Sequence, residues 1–208
     1  MNEYLIPTSS GEAEFTEKRS RFLGHIRPCE TEDEAREFIA EMKKKYYDAR
    51  HNSWCYIIKD GAERYSDDGE PQGTAGIPML EVFRREGINN FCCVVTRYFG
   101  GVLLGAGGLL RAYTKSAKDA LDAAGISLVR TWAESELPCS YGALERFKLE
   151  ISSFEGIVSD MEYGADVLIK FLIADEKFED FKAHIFDISA GAVSLKKTGE
   201  TFRAVPLK

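Results

Sequence analysis

The sequence predicts an α+β protein of two domains, an N-terminal α/β domain over residues 1–131 followed by a ferredoxin-like domain over 135–208. Three observations carry this expectation. Apolar strand-like runs alternate with stretches of helical periodicity. A glycine-rich segment, 100–108, lies between the strongest strand and the most convincing helix. From about residue 134 the pattern restarts as β-α-β-β-α-β and fills the remaining chain.

Taken in order, residues 14–29 (EFTEKRSRFLGHIRPC) read as one strand, with Phe22, Leu23 and Ile26 as apolar anchors among charged neighbours. Thr31 with Glu34 three residues on forms a capping box, and Ala35, Phe38, Ile39 and Met42 recur at helical spacing. Lys43, Lys44 and Lys45 suit the negative end of that helix. Residues 53–59 (SWCYIIK) are a strand closed by an Asp60-Gly61 turn, with 63–66 returning beside it. Residues 66–78 (SDDGEPQGTAGIP) form a structured loop rich in turn residues, and a short helix follows, ending at Gly87. Residues 91–99 (FCCVVTRYF) are the strongest strand, and 109–124 a helix terminated by Gly125. In the second domain a strand at 135–140 precedes a helix at 142–153, a strand pair around Gly164 and a helix at 176–187. A last strand pair turns at Thr198-Gly199.

Bulk properties narrow the function classes. With 44% hydrophobic residues in 208, the chain can bury a core, which excludes a disordered protein. There is no apolar run of about eighteen residues and no signal-peptide layout at the start, so a cytoplasmic protein without a membrane partner is expected. Five cysteines, an odd number without a CxxC pair, suggest neither a disulfide framework nor a zinc site and read as small core or near-surface residues. The net charge of −7 is uneven: residues 1–131 carry 18 basic and 20 acidic side chains, whereas 132–208 carry 9 and 14. Within the first domain, residues 87–118 hold no acid but contain Arg97, Arg111, Lys115 and Lys118.

The glycine-rich segment holds Gly101, Gly105, Gly107 and Gly108 at the start of a helix, where free amides and the helix dipole favour an anion. It matches neither a P-loop nor a dinucleotide fingerprint, because Leu109-Leu110 stand where those motifs need Lys-Ser/Thr or glycine. Two readings stay open: a cradle for an anion or nucleic-acid backbone, and glycines that allow a tight turn and close helix packing. Arg97, Arg111 and Lys115 would converge near this loop as a phosphate-contacting patch. The acidic run Asp67-Asp68-Gly69-Glu70 lacks calcium-loop spacing, so no metal site is assigned. No nucleophile-elbow pattern appears; no residue is given a catalytic role and no cofactor is expected.

Residues 66–78 and 94–113 (VVTRYFGGVLLGAGGLLRAY), with 18–22 (KRSRF) and 49–57 (ARHNSWCYI) before them, resemble the signature blocks of the Impact family. The tail from about residue 136 resembles the small domain that accompanies its bacterial members, so the resemblance covers nearly the whole chain. It implies an N-terminal domain similar to domain IV of elongation factor G and to a ribosomal-protein fold, and a C-terminal domain similar to that factor's domain V. Eukaryotic members are translation regulators; they carry a different extra domain, and their partner is not carried over here. Position by position, the resemblance implies a functional surface of Arg19, Arg21, His51, Asp67, Asp68, Glu70, Thr74, Arg97, Tyr98, Arg111 and Tyr113. The leading expectation is a translation-linked regulatory protein that binds RNA or the ribosome through its basic stripe, with Tyr98 and Tyr113 stacking on bases. The alternatives are an enzyme acting on a small phosphorylated or peptide-like substrate in a pocket between 66–78 and 97–111, and a module that docks a protein partner.

Overall fold

The computed structural model describes residues 3–207, a mixture of helices and antiparallel sheets in two compact units. One unit comprises residues 4–129 with 204–207, the other residues 130–203 with Glu3.

The first unit is built on a five-stranded antiparallel sheet. It contains β2 (Gly11–Glu17), β3 (Ser20–Pro28), β4 (His51–Ile57), β5 (Glu63–Ser66) and β6 (Phe91–Tyr98), in the order β2-β3-β6-β4-β5. Both faces are covered. Residues alternate across a strand, so Phe91, Cys93 and Val95 of β6 enter one core while Cys92 and Val94 enter the other. The first core is closed by α2 (Gly76–Glu86) and α3 (Ala106–Ala124) through Met79, Phe83, Tyr113, Ala117 and Leu121. The second is closed by α1 (Glu32–Lys45) through Phe38, Ile39 and Met42. Burial on both sides explains why β6 is apolar almost throughout instead of alternating with polar residues. All five cysteines are free and buried. Burial pushes the Cys29 thiol up to about 11 and raises those of Cys55, Cys92, Cys93 and Cys139 as well.

Local differences from the sequence reading have identifiable causes. Residues 14–29 form two strands, not one: Glu17 pairs with Ser20, and Lys18 and Arg19 make the two-residue turn with positive φ of 45° and 66°. Two central residues at positive φ match the right-handed twist of a hairpin, and the turn lacks the Asn-Gly that usually announces it. The N-cap Thr31 accepts from Glu34 N at 3.2 Å, but the Glu34 carboxylate reaches back to Glu30 N at 2.6 Å. A short strand, β1 (Tyr4–Pro7), pairs with residues 126–129 at the start of the long strand β7 (Ile126–Cys139).

The second unit runs from β7 through α4 (Leu144–Ser153), β8 (Ile157–Tyr163), β9 (Val167–Ala174) and α5 (Phe178–Ile188) to β10 (Lys196–Pro206). Its strands lie in the order β10-β7-β9-β8, with β7, β9 and β8 antiparallel. Phe147 and Ile151 of α4 and Phe178, Phe181 and Ile185 of α5 pack on Leu137, Ile169 and Phe171. No turn forms at Thr198-Gly199. β10 passes straight through because β7 gives it a pairing edge, where Thr198 donates its hydroxyl to the Glu134 carbonyl.

Candidate functional site

The loop 66–78 owes its shape to its own acids. The Asp67 carboxylate accepts from the amides of Gly73, Ala75 and Gly76 at 2.8–3.0 Å, which gives the N-terminus of α2 the cap that Ala75 cannot supply. Asp68 accepts from Asn52 N at 2.7 Å and from Lys43 Nζ at 2.6 Å, fastening the loop to β4 and α1. Thr74 donates its hydroxyl to the Pro71 carbonyl at 2.6 Å. These three side chains are spent on the loop, and what it projects inward is Glu70.

Glu70 is 7% exposed, and its Oε1 accepts from Arg97 Nη1 at 2.7 Å and from the Tyr113 hydroxyl at 2.9 Å. Arg97, 5% exposed, also donates from Nη2 to Ser20 Oγ at 3.3 Å, and its Nε is buried without a partner. Strand parity puts it there: Arg97 shares a face with Cys93 and Val95, under α3. Tyr113 is fully buried, one helical turn from both Leu109 and Ala117. Burial and then the neighbouring Glu70 charge hold its phenol well above the ordinary tyrosine range. The expectation that Tyr113 stacks on bases and that Arg97 offers its charge at the surface is therefore corrected; both are core partners of one carboxylate.

His51, at the start of β4, lies with its Nδ1 2.8 Å from the Asp68 carbonyl and its Nε2 3.9 Å from Glu70 Oε1. A carbonyl can only accept, so Nδ1 carries a proton, and in the neutral ring Nε2 keeps its lone pair. Above these groups opens a cavity of about 540 Å³. Glu70, His51 and Arg97 line its floor, Phe99, Leu103, Leu104 and Leu109 its walls, and Arg50 and the Gly105-Ala106 end of α3 its mouth.

The glycine segment shapes that mouth. Gly100 packs on the hairpin turn, where a Cβ would lie 2.0 Å from the Arg19 carbonyl, so no other residue fits without moving backbone. Gly101 and Gly105 hold φ of +83° and +72°, while Gly107 and Gly108 fall in the first turn of α3. That turn has no side-chain cap, which leaves its first amides without a side-chain partner where Gly105 and Ala106 line the cavity. Leu103 is 83% exposed there, and the ring of Phe99 is flanked by the guanidinium groups of Arg50 and Arg97 at 5.8 and 5.5 Å.

The cationic surface differs from the expected patch of Arg97, Arg111 and Lys115. Lys115 pairs with Asp119 at 2.6 Å, and Lys118 with Glu86 and Asp122 at 2.8 and 3.0 Å. Arg21 pairs with Glu14 and lies over the ring of Tyr98, whose hydroxyl donates to Asp48, on the opposite face of the sheet from Arg97. By contrast, Arg19, Arg50 and Arg111 pair with no carboxylate among the described residues, and each adjoins the 99–108 loop: Arg19 through its backbone carbonyl at Gly100, Arg50 through its guanidinium at Phe99 and Arg111 through its guanidinium at Gly107. Arg50, Phe99 and Leu103 were not singled out from the sequence. The adjacency of Arg50 to His51 was a signal; its contact with Phe99, distant in sequence, was not.

Comparison with known proteins agrees with this architecture. Residues 18–121 match the family model described as "Impact N-terminal domain", and residues 137–192 match a domain of unknown function (DUF1949). The chain is 33% identical to "IMPACT family member YvyE" of Bacillus subtilis (strain 168), over 97% of this chain and 94% of that one. It is 32% identical to "IMPACT family member YigZ" of Escherichia coli (strain K12), over 94% and 98%. A solved structure titled "Crystal structure of an hypothetical protein" superposes with a TM-score of 0.59 at 30% identity, covering 96% of this chain and 98% of that one. Two domain matches in the expected order and identity above 30% over nearly the whole length lead to one conclusion: this chain belongs to the Impact family.

Proposed function

We propose that this protein is a translation-linked regulator in the cytoplasm that binds RNA or the ribosome through the 99–108 loop and its arginine rim. The translation link rests on the family resemblance. The observation that carries the binding mode is the presence of the Arg50 and Arg111 guanidinium groups, neither with an acidic partner among the described residues, at a loop that presents uncapped helix amides and packs on the turn holding a third unpaired cation, Arg19. Unpaired arginines and free amides bind phosphate oxygens, and the nearby half-exposed Phe99 ring offers a stacking surface to an unpaired base. The fold supports the same reading. In it, the first unit is an elongation factor G domain IV type and the second, by its strand order, a ferredoxin-like domain.

Binding to a single-stranded or looped RNA should weaken with salt. The triple substitution Arg19→Glu, Arg50→Glu, Arg111→Glu should abolish it at moderate salt while the fold, read by circular dichroism, stays intact. With about 0.7 lost from the log–log salt slope per contact, removing three contacts should flatten that slope by about two. Unchanged affinity in the triple variant would defeat the proposal. The second reading, an enzyme for a small phosphorylated or peptide-like substrate, is favoured by one observation, the 540 Å³ cavity between 66–78 and 97–111.

A further inference from the structure

The cavity floor and the cavity mouth ask for opposite chemistry. At the floor, Glu70 Oε1 is saturated by Arg97 and Tyr113, but Oε2 accepts from no described residue. His51 Nε2 lies 3.9 Å from Oε1 of the same carboxylate, and with the Nδ1 proton directed at the Asp68 carbonyl it is the ring nitrogen left to accept. Two adjacent acceptors at the end of an apolar slot call for a ligand with two adjacent N–H donors on a flat, otherwise apolar body. At the mouth, Arg50 and the uncapped amides of α3 call for an anion and repel a cation, which excludes a lysine or other ammonium ligand.

We infer that the cavity is a guanine pocket: it takes a guanosine nucleotide, with the base edge on Glu70 and His51 and the phosphate at Arg50 and the start of α3. Guanine alone among the four RNA bases presents neighbouring N1–H and N2–H donors on its Watson–Crick edge. Adenine and cytosine offer one donor beside an acceptor, and uracil offers one donor between two carbonyls. A carboxylate oxygen next to an accepting imidazole nitrogen therefore discriminates by leaving acceptors unmatched, or facing other acceptors, with the wrong base. Phe99, Leu103 and Leu104 supply apolar walls for the ring faces. The cavity volume of about 540 Å³ falls within the usual range for ligand sites, roughly 300–1,000 Å³. Arg97 serves as a positioning residue: its bond to Oε1 holds the Glu70 carboxylate turned so that Oε2 is left for the ligand.

The inference deepens the proposed RNA binding, since the same chemistry is met by a free nucleotide and by an unstacked guanosine within an RNA strand. The experiment separates the two. Calorimetric titration of the full-length protein with GMP, IMP, AMP, CMP and UMP tests the pocket alone. GMP should bind about tenfold or more tightly than AMP, CMP or UMP, and IMP, which lacks the 2-amino group, should fall several-fold below GMP. Glu70→Gln should erase the preference for GMP over AMP; because that variant touches a buried ion pair, the IMP comparison on the wild-type protein stands as the arm that needs no substitution. Pentanucleotides UUGUU, UUAUU and UUUUU then test the strand. Preference for UUGUU supports the pocket as an RNA site. Tight binding of all three alike, lost in the Arg19/Arg50/Arg111 variant, would leave the RNA reading standing and overturn the guanine pocket. GMP preference without binding of any pentanucleotide would keep the pocket and defeat the RNA reading. Equal or absent binding of all five mononucleotides overturns the inference.

Discussion

Two side chains show how burial decides what a charged group is for. Glu70 and Arg97 form an ion pair almost out of solvent, and removing one partner strands the other. Glu70→Ala should therefore cost about 3–5 kcal/mol of stability in a urea titration, whereas Glu70→Gln, which keeps an acceptor for Arg97, should cost less. An Ala variant as stable as the parent would show that the pair is solvated. His25 is the second case. It is buried between its strand and α1, with its ring stacked on Tyr46, Glu12 3.4 Å from Nδ1, and Lys45 beside it. Burial is the largest influence and lowers its pKa; Glu12 opposes the shift and Lys45 reinforces it. With the folded value below the unfolded one, the unfolded state binds more protons between the two, so stability falls as pH drops through the unfolded value of about 6.5. The melting temperature should fall more steeply between pH 7 and pH 5 in the parent than in His25→Phe. Parallel profiles would assign the acid sensitivity to other groups.

At the scale of elements, the first unit depends on close approach between sheet and helix. A Cβ on Gly24 of β3 would lie 2.5 Å from the Ser116 carbonyl of α3, a backbone atom that cannot swing aside. Gly24→Ala should push α3 outward at a cost of about 1–3 kcal/mol, and a melting temperature equal to the parent's would contradict this packing. Most elements were legible because periodicity reports burial. The β6 run stands where its spacing put it, and so does the apolar face of α3 through Leu109, Tyr113, Ala117, Ala120, Leu121 and Ala124, but Leu110, which the same periodicity assigned to that face, is 45% exposed. The same spacing already implied that Tyr113 is buried and that Arg97 shares a face with Cys93 and Val95; the base-stacking and surface-charge roles ran against the pattern of their own elements. What spacing could not show was which partner each charge would find. Lys115 is neutralised within its helix by Asp119, but Lys118 also meets Glu86 of α2, a contact made only when the helices pack. The hairpin turn at Lys18-Arg19 was hidden for a different reason: its residues carry no turn signature, and positive φ is imposed by the pairing of β2 with β3.

At the scale of the whole molecule, a net charge of −7 coexists with a local cluster of unpaired arginines because like and opposite charges are sorted by position, not averaged. Many basic side chains of the first unit, such as Arg21, Arg27, Lys43 and Arg84, are tied to acids, so long-range attraction to a polyanion falls to those that are not, among them Arg19, Arg50 and Arg111. The meeting of these three at the 99–108 loop was out of reach of the sequence, since Arg19, Arg50 and Arg111 come from three separate segments that only the folded sheet and helix bring to one loop. The most direct test is a salt titration of RNA and ribosome binding by the full-length protein beside the Arg19→Glu, Arg50→Glu, Arg111→Glu variant. Binding that weakens steeply with salt in the parent and disappears in the folded variant is the predicted result. Binding that ignores salt, or survives the three substitutions, would contradict the claim that this arginine rim is the nucleic-acid surface.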